Sequence, residues 1–249
     1  MQRELWRPNY SSFARMTCPT CRMGTLRTDT KPFQREEPQH SRLRNRDENY
    51  DYEAGRFKGF LRCDRQQCGE IVVVAGSFTT EFHHDFDHEA EQPITHEVTT
   101  YRPHLMSPAP EIIQYPKKLN KDSKEHLLRS FVLFWVDYAS CANRLRIVVE
   151  YLLDQFGIER ENAKGDFLNL ASRIEKLTKT KPDQADYLNA LRWLGNAGSH
   201  DGNVDFNDLL WCLDMLEHAM IELFEERDAK RRTEAKRIIA VKGKPDVRR

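Results

Sequence analysis

The sequence has no long hydrophobic run. Only 39% of its 249 residues are hydrophobic, against 31% charged. The longest apolar stretches cover residues 71–75 and 131–136, whereas a membrane-spanning helix needs about 20 apolar residues. The first ten residues also lack the apolar core of a secretion signal. We therefore expect a cytoplasmic protein without a membrane partner, in a compartment that keeps cysteines reduced.

The chain also lacks a net charge, because 39 basic and 39 acidic side chains cancel. Its mean hydropathy of -0.74 predicts two modest domains rather than one large core. The charges separate along the chain: residues 120–226 have 12 basic and 19 acidic side chains, and residues 227–249 have 10 and 3. This predicts a basic tail at 227–249. The tail would bind nucleic-acid phosphates or an acidic partner, or fold back onto the acidic body.

Cysteine is scarce, and four of the six cysteines form two closely spaced pairs. Two residues separate Cys18 from Cys21, and four separate Cys63 from Cys68. Two tight turns of this kind can direct four thiolates at one ion, and such a closed set leaves no position for a catalytic water. The pattern predicts a structural Zn²⁺ site, with two disulfides or four free thiols as the alternatives.

We predict that the zinc site lies in a ribbon domain at residues 1–99. Its one strongly apolar strand is Glu70–Ala75, with further strands at Gly24–Arg27 and Gly55–Arg62, so the metal is expected to supply most of the stability. The charged stretch 31–52 is interpreted as an insertion. Its arginines and tyrosines suit single-stranded nucleic acid, although ribbons also bind proteins; these residues are Arg35, Arg42, Arg44, Arg46, Tyr50 and Tyr52.

Two polar segments follow this ribbon. Residues 83–88 are rich in histidine and aspartate, and His96 comes soon after. They predict either a solvated acidic loop or a second metal site, although their spacing fits no metal motif. Residues 100–121 are then expected to be an extended linker, because prolines interrupt both helices and sheets; they are Pro103, Pro108, Pro110 and Pro116.

Apolar residues at helical spacing begin near residue 122 and continue to residue 226. They predict four helices packed as a bundle. The first is long and ends at Gly157, and the next three begin near Asp166, Asp183 and Asp205. Cys141 and Cys212 lie on the apolar stripes, where buried and inert thiols are expected.

Two polar groups interrupt these stripes. Arg146 and Glu150 lie four residues apart on the long helix, which predicts either a binding site or a plain surface ion pair. Arg192, Asn196 and His200 recur at intervals of four, so a continuous helix would project all three from one face.

The segments around these polar residues resemble the bacterial domain of unknown function 4145 family, which is grouped with the HEPN superfamily. The segments are NRLRIVVE at 143–150 and LRWLGNAGSH at 191–200. The resemblance implies a helical bundle over about residues 123–226, often dimeric. It also implies a superfamily that is common in phage defence, toxin systems and RNA processing.

Active members of that superfamily are metal-independent ribonucleases with an Arg a few residues before a His. The resemblance implies that the Arg stabilises the transition state and that the His is a general acid or base. In this chain, alignment on Asn196 and His200 places Gly195 where the Arg is expected, and Arg192 is the nearest cation. Hydrogen bonding within the bundle is therefore the favoured role for these residues.

These observations predict a mainly α protein with a small N-terminal β zinc ribbon. We expect it to form a homodimer through the helical domain, and to bind RNA, DNA or a partner protein without cutting. The alternative is a ribonuclease that uses His200 with Arg192 and Asn196.

Overall fold

The computed structural model describes residues 1–29, 31–48, 52–87, 92–200 and 202–242, and gives only the backbone of residues 47, 48, 87 and 200. The chain forms two compact units. The sheet unit consists of Gln2–Ile112 and Leu128–Cys141, and the helical unit of Met1, Ile113–Leu127 and Ala142–Arg249. The units interleave along the chain.

The sheet unit is built on an antiparallel sheet in the order β1-β3-β4-β5, with β2 also paired to β3. Strands β1 and β3 lie where the weaker ribbon strands were predicted, but β4 continues far beyond Ala75. The elements are β1 (Leu26–Thr28), β2 (Gln34–Glu36), α1 (Gln39–Glu48), β3 (Tyr52–Cys63), β4 (Ile71–Asp87) and β5 (Gln92–Ser107).

One face of this sheet covers a hydrophobic core. Alternate side chains point to opposite faces of a strand, and those of β4 that point inward are buried from Val72 to Thr80. The last residues of α2 complete the core, with the Trp135 ring centroid 6.0 Å from that of Trp6. The core residues include Trp6, Tyr10, Met16, Leu26, Phe57, Leu61, Val72, Val74, Phe78 and Met106. The expectations of a small ribbon without a core, and of a mainly α protein, were therefore wrong, because the fold is mixed.

Three segments of this unit contain more regular structure than the sequence indicated. The stretch interpreted as an insertion contains β2 and α1 at residues 31–48; Tyr50 lies outside the described residues. His83–Asp87 belongs to β4, where His83 pairs with His96 of β5; His88 is not described. Residues 100–107 continue β5 through Pro103, because the register shift beside Gly76 accommodates a residue without a backbone N–H.

The helical unit contains most of the residues of the remaining helices. The predicted long helix is two helices, because the Asp137 carboxylate accepts from the backbone of Ala139 and from Ser140 and starts a new one. Residues 227–240 form a helix rather than a tail. The helices are α2 (Lys121–Val136), α3 (Tyr138–Gln155), α4 (Leu170–Thr178), α5 (Pro182–His200), α6 (Phe206–Glu225) and α7 (Arg227–Ala240).

The helix starts agree in part with the sequence signals. Asp205 caps α6, since its side chain accepts from the backbone N–H groups of Asn207 and Asp208. Helix α4 is capped by Asn169 rather than by Asp166. Within the described residues, no helix has both the length and the apolar character needed to span a membrane.

Candidate functional site

The two cysteine pairs lie on turns at one end of the sheet. Cys18 and Cys21 precede β1, where the Cys18 backbone N–H donates to the Gly24 carbonyl at 2.9 Å. Cys63 ends β3, and its backbone N–H donates to the Glu70 carbonyl at 2.9 Å. Pairing of β1 with β3 places Leu26 opposite Cys63, so the sheet register brings the two turns together.

The four sulfur atoms form a compact cluster. Cys18 and Cys68 Sγ atoms are 3.8 Å apart, as are those of Cys21 and Cys63, and all four lie within 4.8 Å of one another. A tetrahedral ion with Zn–S bonds of about 2.3 Å requires sulfur separations of about 3.8 Å. The prediction that these four cysteines come together in one cluster is confirmed, and the dimensions of the cluster fit an ion such as zinc.

The surroundings of the sulfurs shift the pKa values of the cysteines in opposite directions. The backbone N–H groups of Met23 and Gly24 lower the pKa of Cys21 to about 6, and the Gly24 donor is 3.2 Å from its sulfur. Burial raises the pKa of Cys63 to about 12 and also raises that of Cys18. An ion would stabilise these buried thiolates. A Cβ atom at Gly24 would lie 2.3 Å from the Cys63 sulfur, so the turn leaves room for the cluster only without a side chain.

The histidine-rich strand segment forms no comparable cluster in the described part of the chain. The His83 Nε2 atom is 3.7 Å from a Glu81 oxygen, and His84 Nδ1 is 3.0 Å from the Thr95 hydroxyl. Among the described side chains, the group of potential metal ligands that lies close enough to hold one ion is the four cysteines. The observations therefore give no support to a second metal site within those residues.

The polar residues of α3 lie beside the predicted motif of α5. Arg146 and Glu150 form an ion pair with 3.1 Å between Nη1 and Oε1, and both side chains are partly exposed. A Cβ atom at Gly195 would lie 2.7 Å from Arg146 Cβ and 3.1 Å from the Ala142 carbonyl oxygen. Gly195 is thus the point where α5 packs closely against α3, a role that sequence reasoning missed.

The three predicted catalytic residues show no common site in the described atoms. Arg192 Nε donates to Asn189 Oδ1 at 2.8 Å, and the Arg192 guanidinium lies 4.2 Å from the Trp193 ring centroid. Asn196 is half-buried, and the side chain of His200 lies outside the description. The guanidinium of Arg192 therefore interacts with two side chains of its own helix, Asn189 and Trp193.

Sequence reasoning also missed a buried ionic group in the helical unit. Arg173 Nη2 lies 2.6 Å from Asp154 Oδ1 and 2.7 Å from the Ile158 carbonyl oxygen, and Arg160 Nη2 lies 2.6 Å from Asp154 Oδ2. Burial opposes ionisation of Asp154, but the hydrogen bonds and charges of the two arginines outweigh it and keep its pKa below the usual value. This group joins α3 to α4.

Gly195→Ala is expected to destabilise the helical unit. Alanine normally stabilises a helix by about 1 kcal/mol relative to glycine, but here the added Cβ would force α3 and α5 apart, and overpacking costs about 1–3 kcal/mol. A lower urea midpoint of the helical circular dichroism signal would show the loss. Arg146→Gly in the same chain removes the facing Cβ and should restore part of the stability, and failure of this rescue would contradict the packing role.

Two families match separate parts of the chain. Residues 129–239 match a domain of unknown function, DUF4145, which is the family that the helical motifs predict. Residues 9–106 match a second domain of unknown function, DUF8608. No curated protein and no solved structure matches the chain. Each of the two matches covers less than half of the chain, at residues 9–106 and at residues 129–239.

Proposed function

We propose that the protein binds nucleic acid without cutting it, and that its sheet unit holds a structural Zn²⁺. The ion would be held by Cys18, Cys21, Cys63 and Cys68, whose sulfur separations match those of a tetrahedral zinc site. With all four positions filled by thiolates, zinc would connect the two turns and leave no position for a substrate. Its role in this proposal is to stabilise the sheet unit.

A cation-lined cleft in the helical unit is the observation that carries nucleic-acid binding. Lys117, Lys118 and Lys230 line this cleft together with Pro116, Phe224 and the ion pair of Arg227 with Glu225. Helix α7 forms one wall and has no buried residue, so its basic side chains face solvent. Three exposed ammonium groups around one cleft favour a polyanion, because phosphate neutralisation releases bound counterions.

The proposal excludes cutting because no cation replaces the expected arginine on α5. Gly195 has no side chain, and Arg192 is held by Asn189 and Trp193. Removal of a cation of this kind costs several kcal/mol of transition-state stabilisation. By resemblance to the HEPN superfamily, we further propose a homodimer formed through the helical unit and a role in a bacterial defence or toxin-related system, with a partner protein as the other possible ligand.

Replacing Lys117, Lys118 and Lys230 with alanine is expected to weaken the binding of a labelled RNA or DNA oligomer. The slope of log K against log salt should fall by about 2, because each phosphate contact on a single strand contributes about 0.7. Fluorescence anisotropy at several salt concentrations measures this slope. The matched control replaces Lys164, Lys176 and Lys179, which are also exposed lysines of the helical unit. Equal effects of both variants would contradict a defined site in the cleft.

A metal-independent ribonuclease that uses His200 with Arg192 and Asn196 is the second candidate. It is favoured by the closeness of Arg146 of α3, whose Cδ atom would lie 3.2 Å from a Cβ at Gly195 and whose guanidinium pairs with Glu150. Incubation of the protein with mixed RNA distinguishes the two functions. Products with cyclic-phosphate ends that disappear in His200→Ala would establish the ribonuclease. Intact RNA at all salt concentrations would support binding without cutting.

A further inference from the structure

The face of the sheet opposite the core is open and partly apolar. Phe60 is 47% exposed, and Val73 and Leu105 are each 39% exposed. Phe60 pairs directly with Val73, and Leu105 lies on the next strand, opposite Ala75. Paired residues share a face of a sheet. The three side chains therefore form one apolar patch across β3, β4 and β5.

Exposed cations surround this patch. Arg56 and Lys58 precede Phe60 at every second residue of β3, so the three side chains point the same way at intervals of about 7 Å. Arg102 of β5 lies in the same row as Arg56, since both pair with Ser77 of β4. Two strand spacings, or about 10 Å, separate these two arginines.

One acidic side chain faces these cations, because Glu36 of β2 lies opposite Arg56 in the strand register. Arg62 and Arg27 on the same face pair with Asp29 and Asp64. The salt bridges found among the described residues include no partner for Arg56, Lys58 or Arg102.

The pKa of the histidine beside these cations responds to their positive charge. His104 lies 3.0 Å from the Ser77 hydroxyl. Burial lowers the pKa of His104, and the charges of Arg102 and Arg56 lower it further. The two arginines are therefore close enough to act on one ring, and the face carries a local positive potential.

We propose that this open sheet face, formed by Arg56, Lys58, Phe60, Val73, Arg102 and Leu105, binds single-stranded nucleic acid. An exposed aromatic ring offers a stacking surface for a base, and cations around it contact the phosphates on either side. A duplex would leave Phe60 without a base, because its bases are stacked on one another. The inference rests on the proposed nucleic-acid binding and adds a second surface, which selects single strands.

Binding of oligouridine and of a duplex of equal length to the full chain tests this surface. Phe60→Ala is expected to weaken oligouridine binding by about 5- to 150-fold, the range for loss of one stacked base, and to leave duplex binding unchanged. Phe60→Tyr keeps the ring and should keep the affinity. Because Phe60 is half exposed, thermal unfolding should show that both variants remain folded.

Charge is tested with a matched pair of double variants. Arg56→Ala with Lys58→Ala should reduce the salt slope for oligouridine by about 1.4, which corresponds to two phosphate contacts. Arg7→Ala with Arg15→Ala removes the same charge from exposed positions before β1 and should have little effect. The same sequence as DNA is the second probe, and stacking on Phe60 predicts the same loss for it.

The outcomes separate this inference from the proposed function. If wild-type protein binds oligouridine and only the cleft lysines matter, the sheet-face inference is overturned while nucleic-acid binding stands. If wild-type protein binds neither probe, both proposals fail. Equal losses for duplex and single strand in Phe60→Ala would also overturn base stacking, because the face would then not select single strands.

Discussion

Replacing Cys63 with serine is expected to abolish metal binding and to loosen one end of the sheet. Cys63 ends β3, and its sulfur is 3.8 Å from that of Cys21 in the preceding turn. Without the ion, buried thiols with raised pKa values no longer join the two turns. Structural zinc contributes on the order of 10 kcal/mol in modules that lack a core. The sheet unit has a core, so we expect a smaller loss of several kcal/mol in its free energy of unfolding.

The measurement is metal content together with hydrogen exchange. We expect one zinc per chain in the wild type and none in Cys63→Ser. Amide protection should fall in residues 17–28 and 62–71, while residues 72–82 of β4 stay protected by the core. Cys212→Ala is the control, because Cys212 lies on α6 outside the cluster. Retention of zinc in Cys63→Ser would overturn the four-cysteine site.

A second variant tests the four-cysteine cluster without changing any of the four cysteines. Gly24→Ala places a Cβ atom 2.3 Å from the Cys63 sulfur, so the cluster must expand or the turn must shift. We expect weaker zinc binding, measured by competition with a chelator. An unchanged affinity would show that the turn adapts and that Gly24 is not required.

The metal cluster was predictable because its signal is local. A two-residue gap and a four-residue gap each define a turn, and the thiolates on two such turns can bind one metal ion. The sheet around it was harder to predict, because β5 and the end of β4 are stabilised by each other across a long register from Val73 to Asp87. Alternation of Phe78, Thr80 and Phe82 was the available signal, and the neighbouring histidines and aspartates obscured it.

In the helical unit, too, local sequence patterns predict single elements but not the contacts between them. Apolar spacing located its helices, but the break at Asp137 depends on one side chain that caps a new helix. Arg173 lies three residues after Leu170 and four before Leu177, so periodicity alone places it on the buried stripe. Its partner comes from α3, and no spacing in the sequence identifies a contact between two different helices.

Replacing Asp154 with alanine is expected to be the most destabilising change in the helical unit. The Arg173 side chain is 3% exposed and depends on Asp154 for its counter-charge. Removing one partner of a buried pair leaves an uncompensated charge and costs about 3–5 kcal/mol. Arg160→Ala is the control, because this arginine pairs with the same carboxylate at 40% exposure, where ion pairs contribute about 0–1 kcal/mol.

The loss in Asp154→Ala should also depend on pH. The pKa of Asp154 is lower in the folded chain than its usual value, so the carboxylate stabilises the fold fully above its unfolded pKa of about 3.9. That contribution disappears as pH falls through the folded pKa. Urea unfolding should therefore show a constant difference between wild type and Asp154→Ala near neutral pH, and a shrinking one below about pH 4. A difference that stays constant into strong acid would show that Asp154 acts through packing rather than through its charge.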